Sequence, residues 1–499
     1  MTLYFDVHQL DVFLLWGSAV TFFAILAVRV SSRTRLPSLL LYLLMGVALG
    51  ESGPAHIGFE NAELAHALGF AALVVILAEG GLTTSWEDLR PSIRLGISLA
   101  TVGVAVSVLV VAVGTHYLLG LPWKTSVLLG AVTSPTDAAA VFSVLRVVPL
   151  PKRLTGALEA ESGLNDAPTI VLVTLISTGA LAEHGLLYNV GLVAYELLGG
   201  LVLGLVVGFA GSWVMRRAAL PSSGLYPLAV MALCFIGYTS TAVLHASGFA
   251  AVYIVALVLG NSELPHRAAT RSFAEGLAWL AQIGLFVMLG LLLSPGRIGL
   301  ETIGFAIVAG LVLTLVARPV SVALSAIAQP MPPRELAFIS WAGLRGAVPI
   351  VLATIPLAEG VHDAERLFDV VFVLVVVYTL VTGPTLPIAA KVLRVARRSE
   401  PRGLDIEAAP LERIAADLLQ ITIAPTSKMH GVEVGELRLP AGSSVSMIIR
   451  DGETLVPERR TVLKVGDDLL VVAPRKQRVK TEERLRQVSA RGRLAQWLR

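Results

Sequence analysis

The chain has 499 residues, of which 55% are hydrophobic and only 15% charged, and Cys234 is its single cysteine. Residues 1–398 hold 22 basic and 22 acidic residues, while the last 101 positions hold the other 17 and 14, so the net charge of +3 comes wholly from the tail. The composition excludes a disulfide scaffold, a collagen-like or disordered chain and, for want of a basic block, a nucleic-acid binder.

A helix needs about 20 apolar residues to cross a bilayer. About thirteen such stretches occur, near 11–29, 36–50, 65–83, 95–118, 123–145, 155–180, 188–214, 224–244, 248–262, 273–294, 300–328, 333–356 and 367–392. They are continuous and do not alternate, which argues against a transmembrane barrel. The start, MTLYFDVHQLD, has no basic stretch, so the first span reads as a retained helix. Eighteen basic residues fall on one side: Arg29, Arg33, Arg35, Arg90, Arg94, Arg146, Lys152, Arg153, Arg216, Arg217, Arg267, Arg271, Arg318, Arg334, Lys391, Arg394, Arg397 and Arg398. Only Lys124, Arg297 and Arg366 fall on the other. The bias predicts an odd number of spans, the N-terminus outside and the tail in the cytoplasm.

A charge at mid-bilayer costs roughly 2.5–3.5 kcal/mol, so each one calls for a reason. In the third stretch Glu79 stands in LVVILAEGGLTTSW, where it either lines an inward-facing entrance or pairs at the interface. The fifth stretch breaks at Thr133-Ser134-Pro135-Thr136-Asp137, which joins a helix breaker to three hydroxyls and a carboxylate. In the sixth, ESGLNDAP places Glu161 above Asn165 on one helical face and Ser162 above Asp166 on another. Glu159, Glu196 and Glu275 read as residues near span ends. The twelfth stretch sets Gly343, Gly346 and Pro349 around Arg345, the only basic residue placed deep in any span.

If spans 1–6 and 8–13 form two six-helix units, the two broken stretches occupy the fifth place in each. Paired interruptions point to an inverted-repeat transporter with its site where the breaks meet. Kinks alone would not explain Asp137 and Arg345. Ser162, Asp166, Asp137 and a freed carbonyl near Thr133–Thr136 offer a monovalent cation several oxygens. Burial and a neighbouring carboxylate favour the protonated form of an acid, so a proton and a cation can compete for one pocket. Arg345 is expected to neutralise Glu161, leaving Asp166 as the titrating group.

TSPTDAAAVFSVL, ESGLNDAPTIVLV and SWAGLRGAVPIVLA resemble the central motifs of bacterial monovalent cation:proton antiporters of the Asn-Asp type, a family that includes sodium–proton and potassium–proton exchangers. The likeness covers about residues 10–395. It implies an all-α polytopic membrane fold of about 13 transmembrane helices with inverted repeats, two crossed discontinuous helices and a dimerisation domain. It also implies cation ligands at Asp137 and Asp166, hydroxyl or carbonyl ligands at Thr136 and Ser162, a site-holding amide at Asn165, an ion pair of Arg345 with Glu161, and an acid near the site at Glu79. The Asn-Asp pair implies electroneutral exchange. Many relatives carry proline directly after the first aspartate, whereas here Ala138 follows it and Pro135 precedes it.

From residue 399 the composition shifts. Residues 399–404 read as a linker, 405–487 as a small α/β module and 488–499 as a tail, with the membrane domain at 1–398. Strands are expected in LLQITIA (418–424), SSVSMIIR (443–450) and TVLKVGDDLLVVA (461–473), with turns at Asp451-Gly452 and Gly466-Asp467-Asp468 and a helix near 476–490. GVEVGELRLPAGSSVSMIIRDGETLVPERRTVLKVGDDLLVVA resembles the C-terminal subdomain of potassium-conductance regulators, the RCK-C or TrkA-C module. That likeness implies dimerisation and, in relatives, a small regulatory ligand, sometimes a cyclic dinucleotide.

The expected function is therefore a secondary antiporter in a bacterial cytoplasmic membrane. It would exchange K+ for H+, with Na+ as the close alternative cation, without a cofactor and without nucleic acid as a partner. A tail-regulated potassium channel would also suit the module, but no TVGYG-like filter is present. An intramembrane enzyme finds no H-E-x-x-H spacing among the nine histidines.

Overall fold

The computed structural model describes residues 7–34, 38–51, 53, 56–59, 61–137, 141, 150–180, 185–396, 404–411, 416–425, 427–450 and 452–492. The expectations for Arg35, Ala138, Arg146, Arg397, Arg398, Asp451, the linker 399–403, the second half of the fifth stretch (residue 141 apart) and the end of the tail at 493–499 lie outside these residues. The chain forms two compact units, Met1–Ala396 and Arg397–Arg499.

The first unit is helical because a backbone in hydrocarbon must satisfy its N–H and C=O groups internally. Its helices follow the apolar stretches in order. The first six are α1 (Val7–Thr34), α2 (Ser38–Leu49), α3 (Ala62–Thr83), α4 (Trp86–Leu119), α5 (Trp123–Thr133) and α6 (Lys152–Ser177). Then come α7 (Leu186–Arg217), α8 (Leu225–Val243), α9 (Gly248–Gly260), α10 (Arg267–Leu292), α11 (Leu300–Ser325), α12 (Pro333–Trp341), α13 (Ala347–Ala358) and α14 (Ala364–Val392). Among the described residues, seven helices are long and apolar enough to cross a membrane, and the shorter apolar helices include α2, α9 and α13.

Packing sorts these helices into neighbours. α9 lies against α3 and α7, and α10 against α2 and α3. α6 lies against α4, α5 and α13, and α11 against α4 and α14. Backbones approach closely where side chains are missing: a Cβ on Gly46 of α2 would fall on the Val287 carbonyl of α10. Two π-helical segments, Leu99–Gly103 in α4 and Val312–Ala317 in α11, lie in the region where these helices pack. The second runs directly into Arg318-Pro319, where proline removes a backbone donor.

Both expected interruptions are present. α5 stops at Thr133, and residues 134–137 are non-helical. α12 ends at Trp341, and the chain resumes as α13 at Ala347.

The second unit carries one five-stranded antiparallel sheet of order β1-β2-β5-β3-β4. The strands are β1 (Leu404–Leu411), β2 (Ala416–Ile423), β3 (Ser444–Arg450), β4 (Glu453–Leu455) and β5 (Asp468–Pro474), and α15 (Arg478–Arg491) closes the unit. Leu419, Ile421, Leu469 and Val471 alternate with more exposed residues on β2 and β5 and pack with Leu485 and Val488 of α15. Two boundaries differ from expectation. Leu404 already pairs with Ile423, so the linker ends before it. Strand β5 begins at Asp468 and not near 461, because Gly466 at φ 87° turns the chain and the buried Asp467 accepts from the Lys464 N–H at 2.8 Å.

Candidate cation and proton site

The two interruptions meet. The Asp137 N–H donates to the Leu344 carbonyl at 2.8 Å, so the broken backbone of one stretch satisfies that of the other. A Cβ on Gly346 would fall on the Asp137 carboxylate, so only glycine allows this approach. Pro135 lies in the non-helical segment and leaves Thr136 and Asp137 free of helical geometry.

Beside this crossing stands α6. Asn165 is buried, and its Nδ2 donates to Thr136 Oγ1 at 3.0 Å, tying the interrupted segment to the helix. Thr169 Oγ1 donates to the carbonyls of Asn165 and Asp166 at 2.9 and 2.8 Å. Asp166 is buried and interacts electrostatically with Asp137. Asn165 Oδ1 and Asp166 Oδ1 are buried oxygens without hydrogen-bond partners among the described residues. Thr136, Asp137, Ser162 and Asp166 all line one cavity of about 500 Å³.

That cavity extends past the crossing to Ser38 at the start of α2, Glu79, Thr83 and Thr84 at the end of α3, Glu159 in α6 and Glu275 in α10. It thus reaches the end of the bundle that carries Arg90, Lys152, Arg153 and Arg267 in sequence. Glu79 is a lining residue. Glu159 and Glu275, read from sequence as residues near span ends, line the same cavity. Glu196 is not among its lining residues.

The expected pairing of Arg345 with Glu161 is not what forms. Glu161 is held by Arg318 in a two-pronged bond, Nη1 to Oε1 at 2.5 Å and Nη2 to Oε2 at 2.8 Å, and Arg318 Nη2 also reaches the Ile339 carbonyl at 3.4 Å. Arg318, which the sequence reading places with the basic loops, is buried in α11, so Arg345 is not alone among deep basic residues: Glu161, Arg318 and Arg345 are each no more than 3% exposed. A planar guanidinium matches a carboxylate bidentately, and α11 delivers one where α12 ends. Arg345 serves the broken backbone instead. Its Nε donates to the Thr133 carbonyl at 3.1 Å, its Nη1 donates to the Gly343 carbonyl, and Thr379 Oγ1 donates to the Arg345 carbonyl at 3.2 Å. The cation thereby sits at the C-terminal end of α5, where carbonyls lack intrahelical donors and the helix dipole is negative. It also means that the Thr133 carbonyl, one of the expected freed ligands, already has a donor. The signal for Arg318 was available, since the apolar stretch 300–328 encloses it and Pro319 follows it.

Comparison with known proteins agrees with this geometry. Residues 18–392 match the family model of the sodium/hydrogen exchanger, transmembrane, and residues 418–486 match the TrkA-C domain. A protein named K(+)/H(+) antiporter NhaP from Alkalimonas amylolytica is 37% identical over 458 residues, covering 90% of this chain and 79% of that one. K(+)/H(+) antiporter NhaP2 from Shewanella baltica (strain OS223) is 33% identical over 480 residues, 94% and 82% of the two chains. Na(+)/H(+) antiporter ApNhaP from Aphanothece halophytica is 27% identical over 379 residues, 72% and 71% of the two chains. Among solved structures, the sodium proton antiporter MjNhaP1 from Methanocaldococcus jannaschii superposes with a TM-score of 0.65 at 21% identity, covering 77% of this chain and 99% of that one, a likeness of fold. With the matched model covering most of the chain and the broken helices in place, the protein belongs to the sodium/hydrogen exchanger family.

Proposed function

We propose that the protein is a secondary antiporter that exchanges a monovalent cation, K+ in the first place, for H+ across a bacterial cytoplasmic membrane. The observation that carries this reading is the pair of carboxylates, Asp137 and Asp166, set at the meeting of two broken helices and lining a cavity that reaches one end of the bundle. Potassium is favoured by the relatives named K(+)/H(+) antiporters, which match most of this chain, tail included.

In the proposed cycle Asp166 releases its proton to the cavity and the cation binds among Asp166, Asp137, Ser162 and Thr136. Asn165 holds Thr136 in place, and Arg318–Glu161 and Arg345 hold the frame. The helices carrying the site then move against α3, α7, α9 and α10, the cation leaves, and a proton takes its place. A bare carboxylate pair would be stranded in low dielectric, so only the loaded or protonated site crosses readily. The N-terminus lies outside and the tail in the cytoplasm, which makes the cavity inward-facing. Residues 1–398 form the transport domain in this proposal, and the TrkA-C module supports a homodimer and takes a small regulatory ligand. The test is proton flux in proteoliposomes with K+, Na+, Li+ and Rb+ compared side by side. Cation-dependent flux led by K+ is expected, and flux indifferent to every alkali ion refutes the proposal.

A further inference from the structure

One wall of the cavity is aromatic. Tyr253 of α9 is 3% exposed and lines the cavity opposite the polar face of α6. Its ring and hydroxyl fill the space that a Cβ on Gly163 would take, so this glycine is a notch into which the phenol is seated. Gly163 stands between Ser162 and Asp166, and all three line the cavity with Tyr253.

The hydroxyl is therefore brought to the carboxylates by the shape of the helix. It interacts electrostatically with Glu159 and Asp166, which lie seven residues apart on one face of α6, about 10 Å along the axis. Thr84 also faces it, but that hydroxyl donates to the Gly80 carbonyl at 2.7 Å and does not complete a hydrogen bond of ordinary geometry with Tyr253. Tyr253 Oη is thus buried without a hydrogen-bond partner among the described residues, as are Asp166 Oδ1 and Asn165 Oδ1. Buried phenols nearly always find a partner. Tyr253 Oη and Asp166 Oδ1, both on residues that line the cavity, form a pair of oxygens suited to an alkali cation.

We propose that the Tyr253 hydroxyl is a specificity-determining oxygen of the transport site, seated over Gly163 so that it completes the coordination of an alkali cation held by Asp137 and Asp166. This rests on the antiporter reading above. Cavity size and the number of oxygens decide between cations of one charge. Potassium, the larger ion, gathers more oxygens than sodium, so one neutral oxygen more favours potassium.

The test is the ratio of half-saturating K+ to Na+ in proton flux, measured in proteoliposomes for wild type, Tyr253→Phe and Gly163→Ala. Tyr253→Phe keeps the ring and removes only the oxygen. It is expected to raise the K+ value relative to the Na+ value by about five- to tenfold, the worth of one polar contact. Gly163→Ala, which keeps the hydroxyl but displaces the ring, is expected to move the ratio in the same direction. The same ratio is read without transport from the K+- and Na+-dependent thermal stabilisation of the detergent-purified proteins. If both values rise together, or neither moves, Tyr253 is a packing residue and the proposal is overturned. If wild type exchanges no ion but its ion-dependent stabilisation shifts as expected, the antiporter reading fails and the ligand assignment stands.

Discussion

Replacing Arg318 by alanine should destabilise the protein more than replacing Arg345. Arg318 and Glu161 form a two-pronged pair at 2.5 and 2.8 Å, with side chains 4% and 2% exposed. Removing one partner of such a pair leaves the other charge uncompensated in low dielectric, which costs about 3–5 kcal/mol. Arg345→Ala instead leaves two backbone acceptors, the carbonyls of Thr133 and Gly343, without this donor. Each unsatisfied buried group costs about 1–3 kcal/mol. That cost is offset because a desolvated cation to which no carboxylate is hydrogen-bonded among the described residues disappears as well, a relief of several kcal/mol. The net loss at Arg345 is accordingly the smaller of the two. Unfolding of each detergent-purified variant, followed by heat and by denaturant, checks the order. The double variant Arg318→Met with Glu161→Gln should recover much of the loss, since no lone charge remains. The reasoning is refuted if Arg345→Ala unfolds at least as readily as Arg318→Ala, or if the double variant is no more stable than Arg318→Ala alone.

Asp166→Asn should abolish cation-driven proton flux while the protein keeps its thermal stability; flux at the wild-type rate would remove Asp166 from the transport role. Exchange should proceed at the same rate under an imposed membrane voltage, and a rate that follows the voltage would argue against one-for-one exchange. In the tail, burial raises the affinity of the Asp467 carboxyl for its proton, but hydrogen bonds from Arg450 and the Lys464 N–H outweigh it and hold the group below its ordinary value of 3.8. A lowered folded-state value contributes stability that is present above the unfolded value and is lost as pH falls through the folded one. Hydrogen exchange of tail segments in the intact protein should therefore show protection falling below about pH 4, and Arg450→Met should flatten that fall.

The helical frame was legible because membrane burial writes itself into sequence as length and apolarity. The two breaks were legible for the opposite reason, since proline, glycine and charges violate that pattern at 133–137 and 343–349. Partnerships across the fold were less legible. Arg318 lies within an apolar stretch, yet an arginine near a soft boundary reads as a loop residue, and nothing local says that α11 brings it to Glu161. Glu159 and Glu275 lie near span ends in sequence, but a cavity shared by α2, α3, α6 and α10 is a tertiary property. Tyr253 sits in an apolar run, GFAAVYIVALVLG, and only the notch at Gly163 marks it out. In the tail, β2 and β3 announce themselves by branched apolar residues, whereas β1 carries Ala-Ala-Pro and owes its pairing to the strand beside it.

The arginine found by folding changes the electrostatic sense of the site. With Arg345 as the only deep cation, the buried acids Glu161 and Asp166, together with Asp137 at the cavity wall, would have faced a single positive charge. Arg318 supplies the second, and its two-pronged bond to Glu161 makes that pair neutral. Arg345 is held at the end of α5, bound through the Thr133 carbonyl to the segment that carries Asp137. Asp137, Glu161 and Asp166 set against Arg318 and Arg345 leave one negative charge at the crossing, with Glu79, Glu159 and Glu275 lining the cavity beyond it. A single monovalent cation neutralises that charge, and so does a single proton. Binding both would leave the loaded site positive in low dielectric, and binding neither would leave it negative, with a desolvation cost in each case that opposes movement. In the proposed antiporter this balance of charge favours competition between one cation and one proton, and Arg318 is a residue that sets it.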